Sequence, residues 1–118
     1  MLRGYARSAM RSEMGNKYGA RRTWSDLCQR WFASKAEAMR GEELALLEKA
    51  GVISELRYQP RFMLNETPRI TITLDFAYRN GVNCQVHFED VKGVLTRDFR
   101  TKLAWLKEQQ GIDVELRR

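Results

Sequence analysis

The feature that most constrains the fold of this chain is a pair of strand-like segments joined by Asn80-Gly81. An Asn-Gly pair tolerates the positive φ angles that tight hairpin turns require. The stretch from Asp75 to Lys92 therefore predicts two antiparallel strands. Both strands are expected to be central and buried, because apolar residues fill them and the segment before them: Ile70, Ile72, Leu74, Val86, Phe88 and Val91.

Charged residues occupy defined faces of this hairpin. Side chains alternate along a strand, so Asp90 and Lys92 share one face and Glu89 takes the other. A two-residue turn would place Asp75 opposite Val86, roughly 13 Å along the strand from the position opposite Asp90. A single metal ion cannot bridge that separation. We therefore predict a loop wider than two residues at Asn80-Gly81.

Two carboxylates on one face, beside a lysine, have a chemical meaning. Oxygen ligands suit a hard divalent cation such as Mg²⁺, and a neighbouring lysine can position water, as metal-assisted hydrolysis of a phosphodiester requires. The alternative is structural, since a buried unpaired carboxylate is costly: Asp75 and Asp90 would form salt bridges with Lys92 or an arginine. His87 shares the face of Glu89, and we interpret it as a packing or surface residue rather than a catalytic base.

Positive charge is concentrated near the N-terminus. The 118 residues carry a net charge of +6. Residues 1–33 hold seven Arg or Lys against two acids, and the remaining residues hold fourteen against thirteen. Such a distribution favours a polyanionic partner. Residues 1–22 are predicted to form a flexible basic arm, and residues 23–118 a single folded domain with one core.

The cysteine and hydropathy patterns exclude several classes. Cys28 and Cys84 lie far apart, and with one histidine they cannot form a zinc site of Cys and His ligands. Two free thiols are expected in a reducing cytoplasm. No apolar run reaches the length of a signal peptide or a membrane span. The composition fits a soluble globular protein with no membrane partner.

The first elements combine aromatic and basic residues. Residues 23–32 are predicted to form a small hairpin, followed by a helix that Ser34 caps and Gly51 ends. Glu37 either completes the cap or supplies a third acid near the hairpin. The hairpin either offers a stacking surface for nucleic acid or packs on the helix. Its aromatic and basic residues are Trp24, Trp31 and Phe32 with Arg21, Arg22 and Arg30.

The rest of the chain predicts an α/β fold. Residues 52–64 form a strand in which Pro60 indicates an edge or a bulge, and 70–78 and 82–92 form the central hairpin. A helix over residues 97–110, between Thr96 and Gly111, precedes a last strand over 112–116. The order is helix, three-stranded antiparallel meander, helix and strand. It gives a mixed sheet between helices, because a helix of this length suits a crossover onto the sheet.

This order, with an acid on the second strand and D-x-K on the third, resembles the core of the PD-(D/E)XK nuclease superfamily. More closely, the chain resembles a family of small phage-encoded proteins long labelled as a domain of unknown function, which look like Holliday-junction resolvases and related endonucleases. The matching segments are Asn16-Lys17-Tyr18-Gly19-Ala20, Phe32-Ala33-Ser34-Lys35-Ala36-Glu37-Ala38, residues 44–53, Gln59-Pro60-Arg61-Phe62, Asp75-Phe76 and Glu89-Asp90-Val91-Lys92-Gly93.

The resemblance implies a role for each matching residue. Asp75, Asp90, Glu37 and the carbonyl of Val91 would ligate Mg²⁺ or Mn²⁺. Lys92 would orient the attacking water and stabilise charge developing on the phosphate. Contacts to nucleic acid are expected from the basic N-terminal region and from two further residues near the site: Lys17, Arg21, Arg22, Lys35, Gln59 and Lys102.

The resemblance also implies a biological setting and shows two departures. The substrate would be branched or Holliday-junction DNA, cut by a homodimer in the cytoplasm of a bacterial host. The segment between Asp75 and Asp90 is slightly longer than is typical, and residues 1–13 precede the usual start of the family. The alternative function is a catalytically inactive module of the same fold that binds nucleic acid or a host protein, with its acids serving structure.

Overall fold

The computed structural model describes residues 21–118, which contain two helices and eight strands. These residues belong to two compact units, and the boundary between the units falls between Ala45 and Leu46. Most of the predicted basic arm, including Lys17, lies outside the described residues. No helix within residues 21–118 is long and apolar enough to cross a membrane.

The first unit contains a small antiparallel hairpin and the start of the first helix. The bounds are Thr23–Ser25 for β1, Arg30–Phe32 for β2 and Lys35–Lys49 for α1. The predicted hairpin is confirmed, and its aromatic residues differ in burial. Phe32 is buried against α1, where a Cβ on Gly41 would lie 2.7 Å from the Phe32 ring. Trp24 stays 43% exposed and meets Trp31 edge to face.

The helix ends follow the sequence signals. The Ser34 hydroxyl accepts a hydrogen bond from the amide of Glu37 at 3.1 Å, so the predicted N-cap of α1 is confirmed. Gly51 adopts φ 81° just after this helix. The second helix, α2, spans Arg97–Gln110; the Thr96 side chain caps it, and Gly111 at φ 68° ends it. Each of these four ends therefore has a capping residue or a positive-φ glycine of the kind that the sequence predicted.

A four-stranded mixed sheet forms the centre of the second unit. Its strands, in spatial order β3, β6, β7 and β8, are Ile53–Tyr58, Phe76–Asn80, Val86–Val91 and Val114–Arg117. Strand β6 runs antiparallel to both β3 and β7, and β8 lies parallel to β7. The parallel pairing is possible because α2 lies between β7 and β8 along the chain. The predicted α/β class with a mixed sheet is confirmed.

Two predicted strands are each broken in two, which corrects the expectation of a continuous three-stranded meander. A separate hairpin is built from β4, Arg61–Asn65, and β5, Ile70–Thr73. The predicted strand over residues 52–64 is broken between β3 and β4, at Gln59, whose φ is 58°, and at Pro60, which has no N–H to donate. The amide of Gln59 donates instead to the Asp75 carbonyl, and the Pro60 carbonyl accepts from Leu74.

The core of the second unit lies beside this separate hairpin. Helix α2 packs against β4 and β5. Four fully buried apolar side chains form the centre of that packing: Leu64, Ile72, Leu74 and Leu106. Burial of Leu74 in this packing accompanies the bend in the chain, which leaves Asp75 immediately before the first residue of β6.

Candidate active site

The loop between β6 and β7 sets the register of the central hairpin. Residues 81–85 separate the two strands, and the Asn80 amide closes the loop on the Gln85 carbonyl at 2.8 Å. The Asn80 side chain accepts hydrogen bonds from two amides inside the loop, those of Val82 and Asn83. The prediction of a loop wider than two residues is therefore confirmed.

This register brings the two aspartates face to face. Phe76 pairs with Glu89, so the next position along the hairpin places Asp75 opposite Asp90. Residues directly opposite each other have Cβ atoms roughly 4.5–5.5 Å apart and share a face of the sheet. The Asp75 carboxylate also accepts the amide hydrogen of Val91 at 2.7 Å, and it interacts directly with the carboxyl group of Asp90.

Asp90 is buried without a full set of hydrogen-bond partners. Its side chain is 1% exposed, and neither of its carboxylate oxygens accepts a hydrogen bond within residues 21–118. The Lys92 ammonium lies 3.3 Å from Asp90 Oδ2 and 4.3 Å from the centre of the Phe99 ring. Lys92 is therefore held between an anion and an aromatic face, and it remains about one-third exposed at 34%.

Burial and proximity change the acidity of both aspartates. Loss of solvent raises the pKa of Asp90 to about 7, the negative charge of Asp75 adds to this effect, and Lys92 opposes it. Burial likewise raises the pKa of Asp75, while the Val91 amide and the charge of Lys92 lower it. Two carboxyl groups this close do not ionise independently, and a bound cation would favour the charged form of both.

The donor set suits a hard divalent cation. Two carboxylates on one face supply oxygen ligands, and Mg²⁺ is commonly held by one or two carboxylates with water and substrate phosphate completing its shell. The Asp90 oxygens, which accept no hydrogen bond within residues 21–118, are the ones such an ion would contact. Within residues 21–118, no group of three or more His, Cys, Asp or Glu side chains is placed to hold a metal. The site therefore offers two acidic ligands, Asp75 and Asp90.

The other predicted site residues lie in varied settings. Glu37 is buried in α1 with its amide in the Ser34 cap; its predicted role as a metal ligand stays a prediction. The Gln59 backbone contacts the Asp75 carbonyl. Lys102 pairs with Asp98 at 3.6 Å on the surface of α2. The remaining predicted nucleic-acid contacts that the structure describes are exposed: Arg21, Arg22 and Lys35.

Two clusters were missed by the sequence reasoning. On the opposite face of β7, fully buried Glu89 accepts a hydrogen bond from the Tyr78 hydroxyl, and Arg117 Nε lies 3.8 Å from its other oxygen. Strand parity had already placed Glu89 on that face, but the β8 partner could not be read from spacing. The second cluster lines a cavity of about 430 Å³ that includes Phe88 and three arginines from strands β3, β4 and β6.

Comparison with known proteins gives one match. A family model described as "Protein of unknown function (DUF1064)" matches residues 15–117. No curated protein and no solved structure matches the chain. The match agrees with the part of the resemblance that pointed to a family of unknown function, and the relationship to PD-(D/E)XK nucleases stays a prediction.

Proposed function

The chain belongs to the DUF1064 family, and we propose that it is a Mg²⁺- or Mn²⁺-dependent endodeoxyribonuclease of the PD-(D/E)XK type. One observation carries the proposal. Asp90 is buried and faces Asp75, and apart from the Lys92 ammonium 3.3 Å from Oδ2, neither of its oxygens has a hydrogen-bond partner within residues 21–118. A purely structural carboxylate at this depth would be expected to have its hydrogen bonds satisfied. A site for a cation explains why these oxygens are left open.

Each residue has a defined task in phosphodiester hydrolysis. Asp75 and Asp90, with the Val91 carbonyl, would hold the cation, which when bound supplies Lewis-acid stabilisation of phosphate charge and a more acidic water. The Val91 amide orients the Asp75 carboxylate. Lys92, steadied by Phe99, orients the attacking water and stabilises negative charge as it develops on the phosphate. In-line attack at phosphorus leaves a 5′-phosphate on the product.

The proposed substrate is branched or Holliday-junction DNA in phage recombination or replication. The basic excess at the N-terminus supports a phosphate-rich partner, including exposed Arg21 and Arg22. The second unit provides one pair of facing aspartates, so cutting two strands at a junction favours a homodimer. A bacterial host cytoplasm, for a phage or prophage protein, is the proposed setting.

A cleavage assay tests this function. Labelled Holliday junction, flap, duplex and single-stranded DNA are incubated with the protein in Mn²⁺, in Mg²⁺ and in a chelator. Wild type is expected to cut at least one of these in metal and none in chelator. Asp90→Asn and Lys92→Met are expected to abolish cleavage. The matched controls remove exposed charges of the same kind, as Asp113→Asn and Lys107→Met, and should cut at the wild-type rate.

Two results would contradict the proposal. One is no cleavage of any DNA by a folded wild-type protein in either metal. The other is equal cleavage by wild type, Asp90→Asn and Lys92→Met. Metal-independent DNA binding that persists in Asp90→Asn, without any cleavage, would favour the inactive binding module instead.

A further inference from the structure

The cavity lies on the same face of the sheet as the facing aspartates. Ala77 and Phe88 pair across β6 and β7, both line the cavity, and each is two residues from Asp75 or Asp90. Residues two apart on a strand share a face and lie roughly 7 Å apart. The cavity therefore begins one side-chain step from the proposed site of phosphodiester cleavage. One nucleic-acid strand could therefore occupy the cavity and place its neighbouring phosphate at the aspartates.

The walls of the cavity carry a positive excess. Arg57, Arg61 and Arg79 line it with one acid, Glu55, so three positive charges face one negative charge. Arg79 is fixed by Glu55 at 2.7 Å and by the Cys84 carbonyl at 2.7 Å. These contacts compensate its charge and hold it in place.

The other two arginines are available to a ligand. The Arg57 side chain is 71% exposed, and its ion pair with Glu55 is long, at 3.9 Å. Arg61 is exposed and has no acidic partner within residues 21–118. Exposed guanidinium groups without a close carboxylate favour phosphate oxygens, which they can bind through two parallel hydrogen bonds.

The remaining wall is aromatic. Phe62 and Phe88 are half-buried and meet edge to face, with ring centres 5.5 Å apart. Aromatic rings beside arginines are typical of sites where proteins stack unpaired nucleic-acid bases and bind the attached phosphates. The volume of about 430 Å³ falls in the usual range for small-ligand sites, roughly 300–1,000 Å³. A base paired within a duplex cannot enter such a site unless it leaves the stack.

From this arrangement, we propose that the cavity binds an unpaired nucleotide of the substrate strand next to the phosphate to be cleaved. Arg57 and Arg61 contact its phosphates, and the base lies against Phe62 and Phe88. This inference rests on the proposed nuclease function, because that function places the neighbouring phosphate of the strand at Asp75 and Asp90. It adds that the preferred DNA has single-stranded nucleotides at the cleavage point.

Binding without metal separates this inference from catalysis. Fluorescence anisotropy with a labelled single-stranded 12-mer and a blunt duplex of the same length is measured in chelator, over a series of salt concentrations. The double variant Arg57→Gln/Arg61→Gln is compared with Arg69→Gln/Arg118→Gln, which removes the same charge from exposed positions outside the cavity. Melting temperatures confirm that both variants fold.

The expected result is specific to the single strand. The cavity variant should bind the 12-mer about 10-fold or more weakly, and its salt slope should fall by about 1.4, because each lost phosphate contact contributes about 0.7 for single strands. The control variant and duplex binding should change by less than about threefold. Equal losses in both variants, or equal losses on single strand and duplex, would overturn the proposal. If the expected difference appears but no DNA is cleaved, the cavity stands as a binding site and only the nuclease proposal fails.

Discussion

Glu89 and Asp90 are neighbours in β7, and both are almost completely buried, but their surroundings differ. Glu89, on one face of the sheet, accepts a hydrogen bond from Tyr78 and lies 3.8 Å from the Arg117 side chain. Asp90, on the other face, has neither oxygen hydrogen-bonded within residues 21–118. The Lys92 ammonium lies 3.3 Å from one of its oxygens, and a second acid, Asp75, stands opposite. Burial is therefore the same for the two carboxyl groups, and the partners are what distinguish them.

The difference indicates what each acid is for. A buried carboxylate with a hydroxyl and a guanidinium beside it has its charge compensated within the fold. A buried carboxylate that faces another carboxylate, with one ammonium beside the pair and no hydrogen bond to its oxygens, destabilises the metal-free protein, since its charged form has lost solvent without full compensation. Clusters of this second kind are found mainly at functional sites. Substitutions on the two faces of β7 should therefore have different effects.

The largest expected effect is on cleavage. Asp75→Asn should lower the rate of DNA cleavage at least about 10³-fold, a loss comparable to removing one preorganised charge-stabilising group. It should also remove Mn²⁺ binding seen by calorimetry. Glu89→Gln, measured on its folded fraction, should bind Mn²⁺ and cut within about tenfold of wild type. Similar losses of Mn²⁺ binding in both variants would remove the distinction between the faces.

The second effect is a pH dependence of stability in metal-free buffer. The folded-state pKa of Asp90 is raised to about 7, so between about pH 4 and 7 the folded protein binds more protons than the unfolded chain. The stability linked to Asp90 is therefore fully present below its unfolded pKa and is lost as pH rises through about 7.

Urea unfolding at several pH values, in chelator, measures this loss. The free energy of unfolding of Asp90→Asn, relative to wild type, should rise by a few kcal/mol between pH 4 and 8, from the linkage of about 1.4 kcal/mol per pKa unit. A difference that does not vary with pH would show that Asp90 is already ionised without cost in the metal-free protein.

A smaller effect is expected on the other face. Glu89→Gln should lower the free energy of unfolding by about 2–3 kcal/mol at neutral pH, because it removes the charge from a buried carboxylate with satisfied partners. Glu115→Gln is the matched control, since Glu115 also pairs with Arg117 but is 54% exposed; it should cost less than about 1 kcal/mol. Equal losses for the two variants would mean that the contacts of Glu89 contribute no more than a surface pair.

The smallest effect separates the partners of Glu89. Arg117→Gln should cost less than about 1 kcal/mol, because its side chain is 38% exposed and solvent weakens the pair. Tyr78→Phe should cost more, roughly 1–3 kcal/mol, since it removes a hydroxyl donor from a buried charge. Chemical denaturation of both variants at one pH ranks them. A larger loss for Arg117→Gln than for Tyr78→Phe would show that the charge of Glu89 is compensated mainly by Arg117 on β8.

Local signals in the sequence predicted most of the fold. Ser34, Thr96, Gly51 and Gly111 mark helix ends through interactions within a few residues, so they can be read without knowing the tertiary structure. The sequence did not predict the breaks in the two long strands, although Pro60 indicated a bulge or an edge. The break depends on burial of Leu74 against residues of α2, far away in the chain.

The candidate site was predictable in part. Strand parity placed Asp90 and Lys92 on one face, and the 13 Å mismatch pointed to a wider loop. The pairing of Asp75 with Asp90 depends on a loop of five residues, and the sequence pattern did not predict that length. The cavity was missed because Arg57 reaches the Ala77 position only after a register shift in β3, between Ser54 and Arg57. A shift of this kind hides which face a side chain takes.

The loop between β6 and β7 has a consequence for how related chains should be compared. The Gly81 amide donates to the Val52 carbonyl at 3.0 Å, and a Cβ at Gly81 would lie 2.5 Å from that oxygen. The loop is therefore held in place at Gly81, and its length sets the register of β7. Adding or deleting one residue there would slide β7 by one step and turn Asp90 to the reverse side of the sheet. Such a chain would keep every reactive group and still lose the site, so the count of residues in the loop is as informative as the identity of the acids.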